Sequence, residues 1–241
     1  MIFIILAAGK GSRLYPLTQK IPKCLVKYKG RTILNHQLEV CKKNNVKKIY
    51  LVSGYKGNKI KKKNIIKIKN DKFKSTNMVF SLFKAKKLFN GNNDIIISYG
   101  DIIFKKKVLK KLIKSKKDVS TVVDTKWYSY WKKRMDNPLN DVESLKLTKN
   151  DYITDIGKKV KKLSEINGQY VGLTKISKNM SKKILNIWLS LNKEKNQKFV
   201  NNLYMTDFLR ILIKSKIKIK AILVKRGWLE FDEPSDLKIN F

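Results

Sequence analysis

Ile2-Phe3-Ile4-Ile5-Leu6-Ala7-Ala8-Gly9-Lys10-Gly11-Ser12-Arg13 opens the chain and decides how the rest is read. The apolar run from Ile2 to Leu6 does not alternate, which suits a strand covered on both faces of a sheet. It then empties into small residues. A loop of this kind after a first strand lets backbone N–H groups come close to a phosphate. It also sits at the carboxyl end of the sheet, where ligands of open α/β folds bind. Two familiar versions of such a loop do not fit. A dinucleotide fingerprint needs a third glycine where Leu14 stands, and a P-loop needs a longer spacing than the single residue between Gly9 and Gly11. A tight turn without a ligand stays open at this point.

Outward from this stretch, short apolar runs alternate with helical patterns. Strands are predicted at Ile2–Leu6, Lys48–Ser53, Ile65–Ile68, Asp94–Ser98 and Val119–Val123, and helices at Ile33–Asn44, Asn77–Phe89 and Lys105–Lys114. The alternation predicts right-handed crossovers and a doubly wound α/β fold whose sheet is mainly parallel but mixed. Beyond Asp124 the pattern is less regular. A Trp-rich segment (Trp127 to Pro138) leads to strands near Ser144–Leu147, Tyr152–Asp155 and Gln169–Lys175. Helices near Lys178–Leu191 and Tyr204–Ile213 and a strand at Ile217–Val224 follow. This part is expected to complete the sheet, so that residues 1–241 form a single domain with halves 1–124 and 125–241.

Composition bounds the partners. The chain is 42% hydrophobic and 10% aromatic, a globular mix, and its formal net charge is +38. Charge of that size is the first sign of a nucleic-acid binder. Its make-up argues against one. Of the 56 basic residues only Arg13, Arg31, Arg134, Arg210 and Arg226 are arginines, which leaves 51 lysines scattered from end to end. Readers of base edges and phosphate forks favour arginine gathered on one face. Cys24 and Cys41 form neither a metal-ligand spacing nor a disulfide framework. The run Ile2 to Ala8 is too short for a signal segment, and no run reaches membrane-spanning length. Neither nucleic acid nor membrane is expected as a partner, and a cytoplasmic location follows by elimination. A homodimer is left open.

The scarce residue types carry the chemistry. In a chain that supplies lysine wherever lysine serves, Arg13 directly after the glycine loop marks a site that wants a fixed fork of donors. Pro22-Lys23 adds a second cation on a stiffened backbone. Two such cations can neutralise a pentavalent phosphorus and a departing pyrophosphate. There are 18 acidic residues, and four of them, Glu230, Asp232, Glu233 and Asp236, crowd together after a strand. Asp101 follows Ser98-Tyr99-Gly100 at another strand end. Carboxylates so placed suit Mg²⁺ held together with substrate phosphates. Taken singly, Asp101 also fits a helix cap, and the later cluster also fits a solvated turn.

Together the pieces resemble a known family. Leu6-Ala7-Ala8-Gly9-x-Gly11-Ser12-Arg13-Leu14, with Pro16-Leu17-Thr18 and Pro22-Lys23, is similar to the N-terminal signature of the sugar-phosphate-type nucleotidyltransferases. Gly100-Asp101 and Trp228-x-Glu230-x-Asp232 look like that family's metal-carboxylate segments. The resemblance implies a Rossmann-like nucleotidyltransferase fold, with 1–124 as the nucleotide-binding half and 125–241 as the acceptor-binding half. It implies that Leu6, Ala7, Ala8, Gly9, Gly11, Ser12 and Gly100 meet the nucleotide. It makes Arg13 and Lys23 catalytic, and Asp101 and Asp232 the Mg²⁺ ligands. No general base is needed, because the acceptor's phosphate oxygen is already anionic.

Ser75-Thr76-Asn77-Met78-Val79-Phe80-Ser81-Leu82 resembles the base-recognition segment of the CTP-using branch, in which Asn77 and Ser81 would reach a cytosine edge. Segments around Trp127, Trp131 and Arg134, Asn137 to Glu143, Glu165 to Leu173 and Tyr204 to Leu209 are similar to CTP:phosphoglutamine cytidylyltransferases of capsule biosynthesis. That likeness implies CTP and a small phosphorylated acceptor as partners, with Lys126, Trp127, Arg134, Gln169, Tyr170, Trp228 and Glu230 on the acceptor side. Phosphocholine or 2-aminoethylphosphonate is the alternative acceptor, for which Trp127, Tyr128, Trp131 and Trp228 could box an ammonium. Tryptophans spaced by four also read as a helix face in the core, and Arg134 also reads as a surface bridge to Asp136 or Asp141. A sugar-1-phosphate enzyme and a non-catalytic nucleotide- or nucleic-acid-binding protein are the competing classes. His36, the lone histidine, is given no role.

Overall fold

The computed structural model describes all residues, 1–241. The first half runs through β1 (Ile2–Ala7), β2 (Lys27–Tyr28), β3 (Arg31–Thr32), α1 (Ile33–Lys43), β4 (Lys48–Ser53) and β5 (Ile66–Lys69). It continues with α2 (Met78–Phe83), β6 (Ile95–Tyr99), β7 (Ile102–Phe104), α3 (Lys106–Lys114) and β8 (Val119–Asp124). The second half holds α4 (Trp127–Arg134), β9 (Glu143–Leu147), β10 (Ile153–Lys159) and β11 (Gln169–Ile176). It ends with α5 (Lys178–Glu194), α6 (Gln197–Asn201), α7 (Met205–Lys214), β12 (Ile219–Val224) and β13 (Trp228–Glu230).

Seven strands form the central sheet in the order β12-β8-β11-β6-β1-β4-β5. All neighbours are parallel except β11, which runs against both β6 and β8. The mixed, mainly parallel sheet is thus as expected. Its strands come from both halves of the chain. The non-alternating first strand behaves as its composition requires: Phe3 and Ile5 enter one apolar layer, and Ile2, Ile4 and Leu6 enter the other. α1 and α3 cover the first layer through Ile33, Leu34, Val108 and Leu112, while α2, α5 and α7 cover the second through Val79, Leu82, Trp188 and Phe208. Burial on both faces is what a parallel Val/Ile-rich sheet needs.

Strand order reverses at β1: β4 and β5 lie to one side and β6 to the other. The crevice at the carboxyl ends of β1 and β6 is therefore the topological switch point, where doubly wound folds bind ligands. A two-stranded ribbon brings distant chain to this spot. β13 pairs antiparallel with β7, setting Glu230 opposite Ile102, and Phe231 N donates to the Asp101 carbonyl at 3.1 Å.

One expected helix shortens, and of the two readings of the Trp-rich segment the structure shows the helix face in the core. The helix expected over Asn77–Phe89 is a true α-helix only over α2. The chain leaves helical geometry at Ala85 and a 3₁₀ turn (Lys86–Leu88) follows, so that Phe83 and Phe89 turn into one core with ring centroids 5.2 Å apart. The Trp-rich segment is a helix, α4. Its Trp127 and Trp131 join Tyr130 and Trp228 in the first layer, edge to face or tilted, with neighbouring centroids 5.5–6.0 Å apart. These tryptophans pack against one another and line no ammonium box in this structure.

Candidate active site

A cleft of about 270 Å³ opens at the switch point, between the loop after β1, the start of α2 and the turn after β6. The loop is held from beneath. Thr18 Oγ1 donates to the Gly11 carbonyl at 2.8 Å, and Gly11 sits at φ +64°, the left-handed region that glycine enters without penalty. A Cβ there would meet Lys23 Cβ at 3.0 Å, so the loop folds directly onto the lysine stem. Gly100 serves a different need: a Cβ would approach the Leu6 carbonyl to 2.6 Å, so only glycine lets the β6 turn close on β1.

That turn presents Asp101, and Gln37 braces it. The fully buried Gln37 donates from Nε2 to the carbonyls of Tyr99 at 2.8 Å and Ile102 at 2.7 Å, while Ser98 Oγ donates to its Oε1 at 3.1 Å. Across the cleft floor Lys23 Nζ donates to Asp101 Oδ2 at 2.8 Å and to Asp232 Oδ1 at 2.7 Å. Arg13 adds its NH2 to the same Asp232 oxygen at 3.0 Å and is otherwise largely exposed, free to swing toward a ligand.

Behind Asp232 stands Arg134. Its side chain is 3% exposed, and its guanidinium holds Glu230 Oε2 at 3.0 Å, Asp232 Oδ2 at 3.1 Å and Asp236 Oδ1 at 3.0 Å. This corrects both readings of that residue. Arg134 is neither an open acceptor ligand nor a surface partner of Asp136 or Asp141. The solvated-turn reading of the C-terminal acids fails as well. Asp236 is buried, and its Oδ2 accepts from the backbone N–H of Asp232 at 2.7 Å and of Glu233 at 3.0 Å. Tyr130 finishes the clamp, accepting from Glu230 N at 2.8 Å and donating to the Glu230 carbonyl at 3.1 Å.

The charges settle accordingly. Burial works against the Lys23 ammonium, but Asp101 and Asp232 outweigh it and hold the group above its ordinary value. Burial also opposes charge on Asp232, yet Lys23, Arg13 and Arg134 keep its carboxyl below the usual range. Glu230 goes the other way. Burial, then the negative charge of Asp232, push it up to about 8 against the pull of Arg134. Cys24 also lines the cleft, and burial holds its thiol protonated with a pKa of about 12, which removes it as a nucleophile.

The carboxylates fit a divalent cation. Asp101 Oδ1 is buried without a hydrogen-bond partner, a hard oxygen awaiting one. Asp101 and Asp232 also face a common point, now taken by the Lys23 ammonium. No group of three or more acidic, His or Cys side chains is gathered for a metal, so phosphates and water would supply the remaining oxygens.

The expected site residues divide clearly. Leu6, Ala7, Ala8, Gly9, Gly11, Arg13, Lys23, Asn77, Ser81, Gly100, Asp101, Glu230 and Asp232 all line the cleft. Ser12 does not; it is exposed at the start of the 3₁₀ turn (Ser12–Leu14) whose Arg13 reaches the cleft and whose Leu14 is buried. Asn77 caps α2, accepting from Met78 N at 2.8 Å, so it flanks Ser81 from the cap and not from within the helix. Outside the cleft, Lys126 is exposed and its backbone N–H donates to Asp124 at 2.9 Å, while Gln169 is buried against the Glu143 carbonyl at 2.9 Å. Tyr170 packs edge-on to Tyr99 at 5.7 Å, and Trp228 Nε1 donates to the buried Asp124 at 2.9 Å. With Trp127 in the core, Glu230 is the member of the acceptor set that lines the cleft. Sequence reasoning missed Gln37, Tyr130, Asp236 as a clamp, and the cleft wall Phe73, Thr76 and Met78. The one available signal was a buried polar residue on an apolar helix face, Gln37 beside Leu34 and Cys41.

A glycine loop, two cations and two carboxylates at a switch point make a cleft suited to a nucleotide's phosphates. Residues 2–132 match the family described as nucleotidyl transferase, and a full-length relative is more than a third identical, so the chain belongs to the nucleotidyltransferase family. That relative is the CTP:phosphoglutamine cytidylyltransferase of Campylobacter jejuni, 39% identical over 98% of this chain and 97% of its own. Among solved structures the chain is similar to the inositol-1-phosphate CTP transferase from T. maritima, with TM-score 0.76 and 21% identity over 99% of this chain and 91% of that one. It is also similar to the CTP:phosphocholine cytidylyltransferase from Streptococcus pneumoniae, with TM-score 0.73 and 19% identity over 98% and 96%. At those identities the structures speak for the shared fold alone.

Proposed function

We propose that this enzyme is a CTP-dependent cytidylyltransferase that transfers CMP to a small phosphorylated acceptor and releases pyrophosphate. L-glutamine phosphate is the acceptor we favour, giving CDP-L-glutamine for capsule or other surface-polysaccharide modification. The observation that carries the transfer chemistry is the convergence of Asp101 and Asp232 on Lys23 beside the loop that follows β1. The near full-length similarity to a cytidylyltransferase of phosphoglutamine supports the nucleotide and the acceptor.

In this reading an oxygen of the acceptor phosphate attacks the α-phosphorus of CTP, the bond to the β-phosphate breaks, and pyrophosphate leaves with the electron pair. No proton moves, so no base is required. Arg13 and Lys23 would donate to the phosphates where negative charge grows. Asp101 and Asp232 would hold Mg²⁺, which when bound neutralises phosphate charge and draws electrons from the reacting phosphorus. Glu230 keeps the proposed task of reading an amino group on the acceptor. Residues 1–241 act as one domain, 1–124 on the nucleotide side and 125–241 on the acceptor side. CTP and the acceptor are its partners, nucleic acid and membrane are not, and a homodimer is compatible with the scheme. No helix is long and apolar enough to cross a membrane, and we place the reaction in the cytoplasm, where its nucleotide is made.

Pyrophosphate release tests the proposal, with Mg²⁺ and each nucleoside triphosphate against glutamine phosphate, phosphocholine, 2-aminoethylphosphonate and glucose 1-phosphate. Strong turnover with CTP and glutamine phosphate is expected. Turnover with CTP and a different acceptor moves the acceptor assignment, and turnover only with glucose 1-phosphate contradicts the proposal.

A further inference from the structure

Ser81 lines the cleft from α2, and what it offers a ligand depends on a residue that does not touch the cleft. Asn70 lies just beyond β5, fully buried. Its Oδ1 accepts from the backbone N–H of Lys72 at 3.0 Å, and a backbone N–H can only donate, so the orientation of the amide is decided. Its Nδ2 must then point both hydrogens the other way, to Thr76 Oγ1 at 3.0 Å and Ser81 Oγ at 3.0 Å. Thr76 passes its own hydrogen to the Lys72 carbonyl at 2.7 Å and is thereby used up. Ser81 receives from Asn70 and donates to no protein group. Its hydroxyl hydrogen is left for the cleft.

We propose that Asn70 is a specificity-determining positioning residue, which by donating to Ser81 makes the Ser81 hydroxyl a donor toward the base. Among pyrimidines this favours cytosine, whose ring N3 is an acceptor, over uracil or thymine, whose N3–H is a donor facing a donor. The inference rests on the cytidylyltransferase reading and deepens it: selection is by the direction of one hydroxyl, set from a distance. Thr76 cannot substitute, because its hydrogen is committed.

Asn70→Asp is the discriminating variant. It keeps the acceptor for Lys72 N and the shape of the side chain but replaces the donating amide by an oxygen. The Ser81 hydroxyl then turns its hydrogen inward and presents lone pairs to the cleft. The added negative charge weakens all triphosphates alike and cancels in a ratio. The readout is kcat/KM for CTP divided by that for UTP, with equilibrium binding of both nucleotides alongside. N70D should lower this ratio by about tenfold or more, the size of one hydrogen bond gained or lost. Ser81→Ala should lower it as well, and adding N70D to S81A should change it no further. An unchanged ratio in N70D, with both nucleotides impaired equally, would reduce Asn70 to a structural brace and overturn the proposal. If the buried carboxylate prevents folding, Ser81→Ala decides alone, and an unchanged ratio there overturns it. A wild-type enzyme that prefers UTP would instead overturn the CTP reading itself.

Discussion

Lys23 Nζ donates to Asp232 Oδ1 at 2.7 Å, joining residues 209 positions apart in the chain. The same ammonium reaches Asp101 at 2.8 Å. A protein cation therefore occupies the point that two carboxylates of the cleft share.

Replacing Lys23 by Met should cost on the order of 10²–10³ in kcat, the scale for losing a preorganised donor at developing charge. It should also destabilise the metal-free protein by about 3–5 kcal/mol, since Asp101 loses its cationic partner and the buried Asp232 loses one of three. Mg²⁺ should then raise the melting temperature of K23M more than that of the wild type, because no ammonium competes for the carboxylates. Thermal scans with and without MgCl₂ check this. Equal shifts would argue against Asp101 and Asp232 as the metal pair.

Arg134→Lys should lower kcat more than it raises the KM for the acceptor, because Asp232 loses its fixed orientation while Glu230, the proposed acceptor contact, is only loosened. A single ammonium cannot span Glu230, Asp232 and Asp236, which the guanidinium holds at 3.0–3.1 Å, so Asp232 would lose its fixed orientation. Stability should fall by about 2–4 kcal/mol as buried carboxylates are left unpaired. Steady-state kinetics distinguish this from acceptor binding, which would show mainly as a raised acceptor KM.

Trp131→Ala should lose about 3–5 kcal/mol in denaturant unfolding, the cost of emptying a large core site. Trp131 is 4% exposed and packs between Tyr130, Trp127 and Trp228. Where the protein stays folded, affinity for a quaternary ammonium acceptor should not change. A specific loss of such affinity would restore the aromatic box.

Glu230 gives a pH dependence whose sign follows from its raised pKa. The folded chain keeps the proton up to about 8, whereas the unfolded chain releases it near 4.5. This contribution to stability is full below pH 4.5 and is lost as pH rises through about 8. With the metal chelated, the wild-type stability minus that of Glu230→Gln should decline across this window. Denaturant titrations from pH 5 to about 9 would show it, and a flat difference would mean that Glu230 titrates normally.

Much of this was legible in the chain, for reasons that differ by element. Unbroken apolar runs located β1, β4, β6 and β8 to within a residue at each end, because a strand buried on both faces admits little else. The scarcity of arginine was informative beyond Arg13. Arg134 grips three acids, Arg226 pairs with Asp124 at 2.8 Å and lies 3.9 Å from the Tyr130 ring, and Arg210 donates to two carbonyls and Asp207. What rarity could not say was which arginines face solvent and which face the core. The short ribbon of β7 and β13 was not legible, since its three-residue strands pair across more than a hundred positions. With it went the burial of Arg134. Most of the expected acceptor residues lie outside the cleft, because Trp127, Gln169 and Trp228 are polar-tipped or aromatic groups that a core uses as readily as a ligand site.

The most direct measurement is the fate of the α-phosphate. CTP labelled at the α-phosphorus is incubated with glutamine phosphate, Mg²⁺ and enzyme, and the products are separated. The label is expected in CDP-L-glutamine, with an equal amount of unlabelled pyrophosphate, and both are expected to be lost with Asp101→Asn or Asp232→Asn in folded protein. Label remaining in CDP with the terminal phosphate passed to the acceptor, or full activity in both variants, would contradict the proposed transfer.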